Sequence, residues 1–157
     1  MIPEWLNKES ITAAAAIATV IGIFVAILGL RNSINQFKKQ LQLTVFTDYT
    51  KRYQEITLNF PEEINQDDFD FENLEKDKRD KTLRYMRAYF DLCSEEYFLH
   101  SKGNIDDATW NEWKSGIQYV FSKTVFKNGW EIINLDTKYY PEFFAFIDPL
   151  VKKERNE

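Results

Sequence analysis

Two arginines three residues apart, Arg84 and Arg87, with Tyr85 between them, are the strongest candidate for binding chemistry in the sequence. On a helix such positions share a face, so two guanidinium forks would grip a phosphate or carboxylate while Tyr85 or Tyr89 stacks nearby. The ligand class that fits is a nucleotide-like anion. The competing explanation is that Asp77, Asp80 and Asp91 neutralise these bases, together with Lys76, Lys78, Arg79 and Lys81, along an ordinary mixed-charge helix surface. Mixed-sign faces are common on helices, which favours the second explanation.

Other chemistry is sparse. His100 is the only histidine, so sites needing two imidazoles are absent, and its spacing of seven from Cys93 forms only a weak nucleophile–base pair. The pairs Glu95–Glu96 and Asp106–Asp107 are adjacent, and adjacent helical residues point in different directions, so solvated faces and helix caps account for them better than acid–base catalysis. Asp68, Asp70 and Glu72 alternate like calcium-loop ligands but lack the loop glycine and the terminal glutamate. Gly103, Gly116 and Gly129 stand alone, without a phosphate-loop pattern. The sequence predicts no catalytic residue, no metal site and no cofactor.

The elements that must position these residues fall into two unlike parts. The chain has 157 residues, net charge -5, and is 44% apolar and 29% charged, which excludes a polytopic transporter or a large barrel and disfavours duplex nucleic-acid binding. One cysteine excludes an internal disulfide and suits a reducing compartment. Residues 11–30, ITAAAAIATVIGIFVAILGL, carry no charge, and twenty residues at about 1.5 Å each match the roughly 30 Å hydrocarbon core of a bilayer. The flank before them lacks a basic region, so the segment reads as a retained anchor and not a cleaved signal. Upstream lies only Lys8; downstream lie Arg31, Lys38, Lys39, Lys51 and Arg52, opposed by Asp48 alone, which places the following domain in the cytoplasm and a short tail, 1–10, outside. Trp5 suits the membrane interface. Within the span Ala14, Ala18, Gly22 and Ala26 recur every four residues. This small-residue ridge would let a second helix approach closely and make a homo-oligomer; the ordinary alanine and glycine content of membrane helices explains it as well.

Beyond the anchor the pattern is helical throughout. Ile34, Phe37, Leu41, Val45, Tyr49, Tyr53, Ile56 and Phe60 form a stripe over 31–60, a juxtamembrane amphipathic helix continuous with the anchor. An acidic linker follows from Pro61, with Phe69 and Phe71 tucked against the domain. A second helix runs from near Leu74 to Ser101, with Leu83, Met86, Phe90, Cys93, Tyr97 and Leu99 inward, and Gly103 ends it. Asp106 or Asp107 caps a third helix carrying Trp110, Trp113, Ile117, Tyr119, Val120 and Phe121. Ser122 reads as the cap of a fourth, and Pro141 opens a last one through Val151. No segment alternates as a strand would. The expected architecture is all-α: one transmembrane helix continuing into an aromatic-rich helical domain over 61–157.

Three segments, FTDYTKRYQEI, RYMRAYFDLCSEE and IDDATWNEWKSGI, resemble a family of small bacterial single-pass membrane proteins with a helical cytosolic domain and no assigned activity. The resemblance implies residence in the bacterial inner membrane and carries over no catalytic residues. In layout the chain is also similar to membrane effectors of antiphage signalling, including those of type III CRISPR systems that bind cyclic oligoadenylate. The expected function is a membrane-anchored, non-catalytic module that self-associates or binds a protein partner, with exposed Trp110, Trp113, Tyr139 or Tyr140 as anchors. The alternative is a ligand-gated effector sensing a nucleotide-like anion through Arg84, Arg87 and Tyr85.

Overall fold

A computed structural model describes residues 8–152; the expected interfacial Trp5, the tail over 1–7 and the last residues, 153–157, lie outside the described residues. Those described form five α-helices and two 3-10 turns, with no strand among them. The chain divides after Leu43 into two compact units.

Helix α1, Lys8–Thr57, contains all of the first unit's described residues. No proline or glycine pair breaks it, and Thr19 returns its hydroxyl to the Ala15 carbonyl at 2.9 Å. Every side chain from Ile11 to Leu30 is exposed, including Ala14, Ala18, Gly22 and Ala26. This is the one described helix long and apolar enough to cross a membrane. It starts before the expected boundary at Ile11 and stops at Thr57, short of Phe60.

The second unit is assembled from the end of α1, from Thr44, with α2 (Lys76–Ser101), α3 (Asp107–Val120), α4 (Thr124–Ile133) and α5 (Pro141–Lys152). Helix α2 lies at the centre, its Met86, Phe90, Leu92 and Cys93 fully buried. Local chemistry sets most boundaries. Gly103 takes φ 68°, and the amides of Gly103 and Asn104 bond back to His100 and Leu99 at 2.8 and 2.9 Å, closing the last carbonyls of α2. Asp106 caps α3 by accepting from the Thr109 amide at 2.9 Å. Pro141 is the first residue of α5. Ser122, expected to cap α4, instead donates to the Tyr119 carbonyl at 2.6 Å, and Lys123 takes the cap position without a side-chain capping bond.

Aromatic rings fill the core. Phe90 stacks on Phe121 and meets the edge of Trp130, both at 5.3 Å between centroids, and Tyr97 contacts Trp110, Phe143 and Phe146. Tyr119 departs from expectation: it is 58% exposed. Packing is also tight at Gly129, where a Cβ would stand 2.5 Å from the Met86 sulfur, so any larger residue requires the buried Met86 side chain to shift. The acidic segment before α2 is fastened to the domain at several points. Ile64 and Phe71 are buried, Glu72 receives a forked pair of bonds from Arg79 at 2.7 and 2.8 Å, and Lys123 reaches Asp67 at 2.9 Å. Asp70 accepts from the Glu72 amide at 2.9 Å, so this residue caps a turn.

Candidate functional site

Glu96 is the least expected residue in the domain. Helical spacing from Tyr89 and Cys93 carries it to the inner face of α2, where it is 6% exposed, whereas its neighbour Glu95 faces outward. Glu95 accepts two bonds from the Arg52 guanidinium, one of them at 3.2 Å, and a third from the Tyr49 hydroxyl at 3.0 Å. The Arg52 bonds hold the Glu95 carboxyl below its usual range, while burial and the adjacent carboxylate push the Tyr49 hydroxyl up to about 12. Glu96 makes no hydrogen bond among the described residues, and burial raises its carboxyl to about 8, with Arg52 pulling the other way. At neutral pH the folded domain therefore holds Glu96 mainly protonated. The spacing of the two adjacent acids predicts that both are solvated; instead Glu95 is a surface ion-pair partner and Glu96 a buried acid.

A cavity of about 260 Å³ opens beside Glu96, among α1, α2 and α3. Its walls are aromatic, from Phe46, Tyr49 and Tyr53 of α1, Tyr89 of α2 and Trp113 of α3, with Glu112 as a second carboxyl. Trp113 stacks on Tyr49 at 5.4 Å and on Phe46 at 6.2 Å, which fixes this wall. A further cavity of about 380 Å³ shares Tyr53, Tyr89 and Gly116 with the first and runs toward Leu58 and Tyr119. Neither cavity is lined by lysine or arginine. A Cβ built on Gly116 meets nothing within 4 Å, so that glycine keeps the space between α1 and α3 open. On α2, burial pushes both the Tyr89 hydroxyl and the Cys93 thiol well above their ordinary values.

The sequence-predicted residues lie elsewhere. Arg87 closes its fork on Asp136, at 2.8 and 3.0 Å, and also donates to Thr137. Arg84 is exposed, and Tyr85 is half-buried with the Lys81 ammonium 5.8 Å above its ring. An anion gripped by both arginines would have to displace Asp136. Of the acids expected to neutralise these bases, Asp80 lies 3.8 Å from Arg79, and Asp91 acts on Arg87 by its charge while accepting from the Tyr139 hydroxyl at 3.1 Å. Cys93 is completely buried, while His100 stacks on Trp110 at 4.8 Å with its Nε2 3.3 Å from Asp107, so each has a separate structural setting. Of the expected aromatic anchors, Trp110 is buried in the core, whereas Trp113, Tyr139 and Tyr140 are half-buried and pack against it, with Tyr140 donating to the Ser94 carbonyl. Among the described residues no group of three or more His, Cys, Asp or Glu is placed to hold a metal ion.

Glu96 carried one signal in the sequence. It continues the inward series Thr82, Met86, Tyr89 and Cys93 at spacings of three and four, and so falls on the buried stripe. The cavity itself had none, because Tyr53 and Gly116 come from helices far apart in the chain. Neither a protein-family profile, nor a curated protein, nor a solved structure matches the chain.

Proposed function

We propose that this protein is a single-pass membrane module: residues 11–30 cross the bacterial inner membrane with the N-terminus outside, and the helical domain in the cytoplasm self-associates or binds a protein partner without catalysing a reaction. The observation that carries this reading is the uncharged run of α1 in which every side chain is exposed. Each large apolar side chain left in water forgoes about 1.5–3 kcal/mol, so a row of them calls for lipid or another helix. The charge asymmetry around the run sets the orientation, because Arg31, Lys38 and Lys39 follow it closely. The ridge of Ala14, Ala18, Gly22 and Ala26 is the surface for self-association.

Protease treatment of right-side-out and inverted vesicles tests the topology. The domain is expected to be cut only in inverted vesicles, and cutting in right-side-out vesicles would reverse the orientation. Recovery of the full chain in the supernatant after alkaline extraction would remove the anchor altogether. For association, Gly22→Leu in a membrane two-hybrid reporter is expected to cut the signal several-fold. An unchanged signal would exclude the ridge and leave co-purification from membranes to identify a partner.

A further inference from the structure

The cavity beside Glu96 has the composition of a binding site for a positively charged guest. Its walls carry the rings of Phe46, Tyr53, Tyr89 and Trp113, and its polar groups include two carboxyls, Glu96 and Glu112, with no lysine or arginine. Glu96 is more than nine-tenths buried as a residue and has no hydrogen-bond partner among the described residues; no fully buried side-chain oxygen among them lacks a partner, so its carboxyl keeps access to the cavity it lines. The nearest basic side chain, Arg52, is already bound through its fork to Glu95 and does not line the cavity. An anion would meet two carboxyls and no basic side chain there, with only hydroxyl donors from Tyr49, Thr50, Tyr53 and Tyr89, and a purely apolar guest would leave Glu96 unpaired. A cation would satisfy the carboxyl and gain attraction from the electron-rich ring faces together.

We propose that this cavity binds a small organic cation of the alkylammonium class, with Glu96 as its counter-ion and the rings of Tyr53, Tyr89 and Trp113 as its walls. The volume of about 260 Å³ admits a compact ammonium group, and the adjoining cavity of about 380 Å³ admits an apolar substituent directed toward Leu58. Because Glu96 is mainly protonated when the site is empty, binding transfers its proton to bulk water and leaves a carboxylate facing the ammonium. No covalent step is involved. The site stands whether or not the chain crosses a membrane.

Calorimetric titration of the full chain in a non-ionic detergent with tetramethylammonium, and with uncharged neopentyl alcohol of similar shape, tests the proposal. The cation is expected to bind at least tenfold more tightly than the alcohol. Glu96→Gln keeps the size and neutrality of the protonated side chain and is expected to weaken cation binding by tenfold or more. Gly116→Leu directs a side chain into space that both cavities share, leaves Glu96 untouched, and is expected to abolish binding while helical circular dichroism is retained. This second variant keeps the test decisive if the first does not fold. No heat from tetramethylammonium, equal affinity for the alcohol, or undiminished binding to either folded variant would overturn the assignment.

Discussion

Glu95 and Glu96 are neighbours in sequence with opposite chemistry, and pH separates them. The Glu96 carboxyl sits near 8 in the folded domain against an ordinary 4.5, so between these values the folded state keeps a proton that the unfolded chain has released. Stability from this group is therefore greatest below about pH 4.5 and is lost as pH rises through 8, at up to about 1.4 kcal/mol per unit. The groups around it are Arg52 and Tyr53 on α1, Tyr89, Cys93 and Glu95 on α2, and Glu112 across the cavity on α3. Of the charged groups, Arg52 and Glu95 are joined to each other, and the lowered carboxyl of Glu95 titrates below this window. Thermal unfolding of the full chain in detergent, followed by near-UV circular dichroism, is expected to show stability declining from pH 5 to 8. In Glu96→Gln that decline is expected to flatten; an equally steep decline in the variant would assign the slope to another group.

At the scale of elements, two helical glycines make opposite predictions. Gly129→Ala drives a methyl group against the buried Met86, and overpacking of this kind costs about 1–3 kcal/mol, more than the roughly 0.5–1 kcal/mol that alanine adds to a helix. Gly116→Ala enters open space and is expected to stabilise α3 by about 0.5–1 kcal/mol. Chemical denaturation of the two variants should move the midpoint in opposite directions; a shift of the same sign would show that the Met86 side chain moves aside to admit the methyl group. The same contrast shows what a sequence can disclose. Gly103, Asp106 and Pro141 announce helix ends because their effect is confined to one turn of backbone, and the uncharged run of α1 is legible from composition. Arg87 finds Asp136 forty-nine positions away, so that partner is hidden from local spacing, whereas the charge of Asp91, on the same helix, also acts on Arg87. Ser122 resembles a cap in type yet bonds backward, because the turn preceding α4 offers it the Tyr119 carbonyl.

At the scale of the whole molecule, the chain divides after Leu43 into two compact units. The second contains a continuous buried cluster from Ile56 to Ile147 and its own ring contacts, including those of Phe46 and Tyr49 with Trp113. A chain cut to begin at Thr44 is therefore expected to be helical in detergent-free buffer and to unfold cooperatively; a broad, non-cooperative transition would show that the domain depends on the rest of α1. The buried position of Cys93, the sole cysteine, has a practical consequence. A maleimide cannot reach that sulfur while α2 stays in place, so the rate of labelling counts excursions of the central helix from the domain. The native chain thus carries a built-in clock for its own opening. It also offers a silent background in which a cysteine added to any exposed site would be the only one to react.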